Sequence, residues 1–164
     1  MKPWCLLLTG MPNSGKSTIA YHLVQKRIRN VLIIDGDKHR EMQFLGRTLG
    51  FSKKDIMDNT EHVIKLAKFA MDQGINVIIA QIAPYKDQKD LMRKEIDNFT
   101  EVQCDCSKNR RSLRPNFVDS DLEYEIGNPD LILNTDELTI EECGNLVLKQ
   151  LFRSGINENR FVYA

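Results

Sequence analysis

Gly10-Met11-Pro12-Asn13-Ser14-Gly15-Lys16-Ser17 carries glycine, lysine and hydroxyl residues at the spacing G-x-x-x-x-G-K-S. That is the pattern of a phosphate-binding loop. Gly10 and Gly15 let the backbone turn tightly and approach phosphate oxygens. The N–H groups of Pro12 to Thr18, proline excepted, can form an anion nest, and the N-terminus of a following helix adds partial positive charge. Lys16 can reach the β- and γ-phosphates, and the Ser17 hydroxyl can hold Mg²⁺. The expected ligand is ATP with Mg²⁺, held by Gly10, Pro12, Asn13, Ser14, Gly15, Lys16, Ser17 and Thr18.

A second constellation, Asp35-Gly36-Asp37-Lys38-His39-Arg40, follows another apolar run. Carboxylates beside a triphosphate can orient metal-bound water and take a proton from an attacking hydroxyl. Arg40 can form a fork with an anionic acceptor. The plainer alternative is a solvated turn with Asp37 capping a helix.

The elements that must position these groups follow from periodicity. Cys5 to Thr9 reads as a buried strand and Lys16 to Lys26 as a helix. Val31 to Ile34 is a second strand, followed by a polar helix from about Lys38 and a loop from Gly46 to Gly50. Ser52 is a helix N-cap with Asp55 three residues on, and that helix runs to a stop at Gly74. A third strand spans Ile75 to Ile82, a helix Lys86 to Ile96, and a fourth strand Thr100 to Cys106. Ser107 to Asn128 shows little periodicity. A fifth strand at Leu131 to Leu133 and a helix from Thr139 to Leu151 close the domain. Strands alternating with helices predict an α/β fold: three layers, a mostly parallel sheet of about five strands, and helices on both faces. Residues 1–152 are expected to form a single domain and residues 153–164 a polar tail. Ligands should gather at the carboxyl ends of the strands.

The 164 residues include 23 Lys plus Arg and 23 Asp plus Glu, so no basic field suggests nucleic acid or an anionic membrane. No apolar run approaches the roughly 20 residues needed to cross a bilayer. The N-terminal Met1-Lys2-Pro3-Trp4 lacks signal-peptide anatomy, so a cytoplasmic location is expected. Of the four cysteines, Cys104 and Cys106 sit one residue apart on a strand. Packed thiols are expected there rather than a metal or redox pair.

Taken in order, the phosphate loop, Ile34-Asp35-Gly36-Asp37 with Arg40, Leu49-Gly50-Phe51-Ser52, Asp58-Asn59, Ile82-Ala83-Pro84-Tyr85, Asn134-Thr135 and Glu141-Glu142-Cys143 resemble adenylylsulfate kinase over about residues 5 to 150. The resemblance implies a kinase with the phosphate-loop fold. Such a kinase moves the γ-phosphate of ATP to the ribose 3′-hydroxyl of a small-molecule nucleotide. It implies catalytic roles for Lys16, Asp35, Asp37 and Arg40. Acceptor binding would fall to Asp35, Arg40, Phe51, Asn59, Ile82, Ala83 and Pro84, with Phe117 as the second face of an aromatic clamp. The lid would lie at about 107–128, where Arg110, Arg111 or Arg114 stabilises the transferred group. A homodimer is compatible with it. The bland alternatives are Phe51 as a core staple, Phe117 as a packed aromatic, Asn59 as a helix-surface amide, Arg40 as a solvated charge, and His22, His39 and His62 as surface or packing residues.

The departures from the family pattern lie on the acceptor side. Ile56 stands where the family has Arg, Thr60-Glu61-His62 follows Asn59, Ala83 replaces Ser, and the lid run is shorter. Losing an Arg fork removes charge-assisted bonds, and an apolar Ile56 disfavours an unpaired anion beside it. The chain thereby resembles the capsule-locus branch that phosphorylates cytidine diphosphoramidate in capsular polysaccharide biosynthesis. Adenylylsulfate kinase, another nucleotide 3′-kinase and an ATP-binding sensor without turnover remain the alternatives.

Overall fold

The computed structural model describes residues 2–26, 28–42, 49–117, 119–120 and 122–153. Five strands, β1 (Cys5–Thr9), β2 (Val31–Asp35), β3 (Asn76–Ala80), β4 (Phe99–Asp105) and β5 (Leu131–Asn134), form one sheet in the order β2-β3-β1-β4-β5. Every pairing is parallel. The helices among the described residues are α1 (Lys16–Lys26), α2 (Gly36–Glu41), α3 (Lys53–Asp72), α4 (Lys86–Glu95), α5 (Lys108–Ser112) and α6 (Ile140–Arg153). The expected three-layer α/β architecture is therefore observed.

Strand alternation divides the core in two. Leu6 and Leu8 face one side, where Ile19 and Leu23 of α1 pack with Val147 and Leu151 of α6. Cys5 and Leu7 face the other, against Val63, Ile64 and Ala67 of α3 and Met92 of α4. All four cysteines are buried free thiols, Cys104 within the first cluster.

Local chemistry sets the helix ends. The Ser52 hydroxyl accepts from the Asp55 N–H at 3.1 Å, the expected cap of α3. Gly74, at φ 79°, supplies the left-handed residue after that helix. Thr139 and Glu142 exchange the reciprocal bonds of a capping box before α6. Two expectations need correction. The cap of the helix after β2 is Asp35 rather than Asp37, and the helix begins at Gly36, because Asp35 Oδ1 accepts from the Asp37 and Lys38 N–H groups. The stretch from Ser107, read as aperiodic, opens with α5, whose N-terminus Ser107 caps. A single turn is too short to display a helical period. Most of the loop expected at Gly46–Gly50, and the tail beyond residue 153, lie outside the described residues.

Candidate active site

Between β1 and α1 the chain wraps into a nest. Gly10, Asn13 and Gly15 all take positive φ (144°, 62° and 96°). A Cβ on Gly10 would lie 2.3 Å from the Cys104 carbonyl oxygen, so only glycine fits where the loop crosses β4. Ser14 is fully buried, and its carbonyl accepts from Thr135 Oγ1 at 3.0 Å.

Lys16 is 9% exposed and donates to the Gly10 and Met11 carbonyls at 2.9 and 2.8 Å. Burial pulls its ammonium down to about 8, against the opposing pull of Asp37 and Asp35. The ammonium is thus charged at neutral pH and partnered only by neutral dipoles, an arrangement that an incoming phosphate would improve.

The neighbouring Ser17 hydroxyl donates to Asp35 Oδ2 at 2.7 Å. These two hard oxygen donors beside the nest fit Mg²⁺, which takes oxygen ligands and keeps part of its water shell. Asp35 serves both the phosphate loop and the start of α2.

Two of the three expected lid arginines reach the loop. Arg111 is 7% exposed and donates to the Cys106 and Pro12 carbonyls at 3.2 and 3.4 Å. Arg114 donates to the Asn13 carbonyl at 2.6 Å and to the Thr135 carbonyl at 3.4 Å. Arg110 is exposed. A cavity of about 270 Å³ opens beside Arg114, lined by Gly15, Thr18, Ile19, Thr135, Leu138, Ile140 and Cys143. Its apolar walls and single guanidinium suit a flat heterocycle adjoining the phosphate nest.

A second, narrower cleft of about 60 Å³ lies at the ends of β2 and β3. Asp37, Arg40, Phe51, Asn59, Ile82, Ala83 and Pro84 line it together, so most of the expected acceptor residues converge. Arg40 lies 4.6 Å from the Phe51 ring centroid and donates to the Gly50 carbonyl at 2.8 Å. Phe51 is 76% exposed, which removes its reading as a core staple. Asn59 is 3% exposed and hydrogen-bonded to His39 at 2.9 Å, so it is not a surface amide. Phe117 is not brought to this cleft. It stands about 6.0 Å from Arg111 on the phosphate-loop side.

Ile56, Gln81, Gln88 and Leu122 also line the cleft. Of these, only Ile56 stood out in the sequence. Gln88 is oriented from both ends: its amide nitrogen donates to Thr60 Oγ1 at 2.8 Å, and its oxygen accepts from the Tyr85 N–H at 3.0 Å. The capping position of Gln88, three residues after Tyr85, was the one available signal.

The stretch expected as a lid divides in two. Its first part, through Phe117, leans on the phosphate loop. Its later part is strapped to the body: the Glu125 N–H donates to the Pro84 carbonyl at 2.8 Å, Lys89 donates to the Glu125 carbonyl, and Tyr124 shares a 2.9 Å hydrogen bond with Thr9.

Residues 2–116 match the family model described as adenylylsulphate kinase. The chain belongs to that family. An adenylyl-sulfate kinase of Clostridium kluyveri is 33% identical, over 85% of this chain and 79% of its own. A cytidine diphosphoramidate kinase of Campylobacter jejuni is 29% identical, over 91% and 96%. Among solved structures, the APS kinase CysC of Mycobacterium tuberculosis in complex with AMPPNP and APS superposes with a TM-score of 0.78 at 28% identity, covering 92% of this chain and 98% of that one. This member of the adenylylsulphate kinase family is a phosphotransferase with an alcohol acceptor. No helix among the described residues is long and apolar enough to cross a membrane.

The fit at Gly10 yields a prediction. Gly10→Ala should destabilise the fold by about 2 kcal/mol or more, through backbone strain and the clash with Cys104. Denaturant unfolding measures it, and an unchanged midpoint would mean that the loop has room to move.

Proposed function

We propose that the chain transfers the γ-phosphate of ATP to the ribose 3′-hydroxyl of a nucleotide, and that cytidine diphosphoramidate is the acceptor. The observation that carries the acceptor is the cleft lining. Among the described residues, Arg40 is its one guanidinium, set among the amides of Asn59, Gln81 and Gln88 and the apolar Ile56 and Leu122. The sulfate end of adenylylsulfate presents only acceptor oxygens, whereas a phosphoramidate carries a nitrogen that can donate to an amide oxygen. Among the described residues, Gln81 is the amide of the three whose oxygen accepts no hydrogen bond. Capsular polysaccharide biosynthesis in the cytoplasm follows from that acceptor, with residues 1–152 acting as one domain. Adenylylsulfate is the second reading, favoured by the family model and the Clostridium relative.

On this reading the base of ATP lies in the cavity beside Arg114, and its phosphates lie in the nest. Lys16 exchanges the Gly10 and Met11 carbonyls for phosphate oxygens. Ser17, with Asp35 behind it, holds Mg²⁺, which when bound neutralises charge on the phosphates. Arg111 and Arg114, already against the loop, supply positive charge near the transferred group. Phe51, backed by Arg40, stacks on the acceptor base, and Arg40 and Asn59 hold its phosphate. Asp35 orients the 3′-hydroxyl and accepts its proton, while Asp37 flanks it. The stretch from Ser107 to Phe117 acts as the lid, limiting water access and wasteful hydrolysis.

An ADP-release assay offering the two acceptors separately tests the assignment. Turnover confined to cytidine diphosphoramidate is expected; turnover confined to adenylylsulfate would assign the second reading. Lys16→Ala should lower kcat/KM roughly a hundredfold or more, the scale of a lost electrostatic donor. Near-normal activity would remove Lys16 from the mechanism. Asp35→Asn, whose carbonyl can still cap α2, should lower kcat about a hundredfold with a much smaller change in the KM for ATP. A change confined to the ATP KM would assign Asp35 to nucleotide binding alone.

A further inference from the structure

We propose that His39 is a positioning residue for the acceptor: it turns the Asn59 amide so that the NH₂ edge faces the cleft. The proposal rests on the reading of that cleft as the acceptor site. His39 lies on α2 and is 5% exposed; Asn59 lies on α3 and is 3% exposed. His39 Nδ1 stands 2.9 Å from Asn59 Oδ1. Asn59 lines the cleft beside Arg40, whereas His39 does not.

A primary amide has two edges of opposite chemistry, a carbonyl that accepts and an NH₂ that donates. Which edge meets the ligand depends on what holds the other. Burial lowers the His39 pKa, and Arg40 and His62 push the same way against the Asn59 bond, which favours an imidazole with a single N–H at neutral pH. With that proton on Nδ1, Asn59 Oδ1 is occupied and both Nδ2 hydrogens are left for the cleft. With Nδ1 bare, Asn59 would have to donate to it and present its carbonyl instead. The tautomer of a residue behind the cleft thus selects what the cleft offers. Arg40 and Asn59 then form adjacent donors for a phosphoryl oxygen of the acceptor, and Gln81 is left to discriminate the rest of its 5′ group.

Two measurements on the full chain test this. The first needs no acceptor: the imidazole ¹⁵N resonances of His39 should report a protonated Nδ1, and an unprotonated Nδ1 would overturn the proposal. The second is kinetic. His39→Phe removes the donor while keeping a ring, and should raise the acceptor KM about tenfold with kcat within about twofold and the ATP KM unchanged. His39→Gln keeps an N–H donor and should recover most of the loss. In an Asn59→Ala background, His39→Phe should add nothing further. A full tenfold effect persisting there would mean that His39 acts by another route, and the proposal would fall. Because the resonance experiment uses no acceptor, failure of the acceptor assignment and failure of the His39 role are read separately.

Discussion

The hydrogen bond from Ser17 to Asp35 joins strand ends that are not neighbours. In the sheet order, β3 lies between β1 and β2, so the first turn of α1 and the cap of α2 meet across the end of a third strand. Adjacent strands are about 4.8 Å apart, so the bond closes a gap of roughly 10 Å with two short side chains. It can do so because the chain after β2 leans over β3: a Cβ on Gly36 would lie 2.8 Å from Gln81 Cβ. A bond to a carboxylate contributes about 1.5–3 kcal/mol. Its larger effect is geometric. The phosphate loop and the start of α2 share one carboxylate, so the position of one fixes that of the other.

Around that junction the protein holds cations that its own backbone satisfies only partly. Lys16 and Arg111 are both buried, and the Arg111 charge works against the charge on Lys16. Their partners are carbonyls of the loop and of the strand end rather than carboxylates. Burying charge against neutral dipoles costs stability, and a triphosphate would relieve that cost. The nest is therefore organised before its ligand arrives.

The cleft at the ends of β2 and β3 depends on packing far from the phosphate loop. The strap from Leu122 to Asp130 is anchored where Arg93 meets Glu101 at 3.3 Å and Asp130 at 3.0 Å. A Cβ on Gly127 would fall 2.6 Å from Glu101 Oε1, so glycine lets the strap lie flat over that carboxylate. Glu101 is 1% exposed, and burial raises its pKa despite Arg93 and Lys89. The anchor carries Leu122 into the cleft and Tyr124 onto Thr9, linking the cleft wall to the root of the phosphate loop.

Most of the architecture and the whole phosphate nest were legible in the sequence. Strand and helix periods, the Ser52 cap, the Gly74 stop and the spacing from Gly10 to Ser17 are local signals, because the forces behind them act between residues a few positions apart. Asp37 and Arg40 stood out by their chemistry and Phe51 and Asn59 by resemblance, and the fold gathers these four into one cleft. Several things depended on tertiary structure: the pairing of His39 with Asn59, the recruitment of Gln81, Gln88 and Leu122, the placing of Phe117 beside Arg111, and the division of the lid stretch into a leaning part and a strapped part. Apart from the Phe117–Arg111 pair, these contacts join residues 20 to 115 positions apart. Which residues meet across a sheet is set by strand order, and strand order is decided by how the finished faces pack, not by any single segment of the chain.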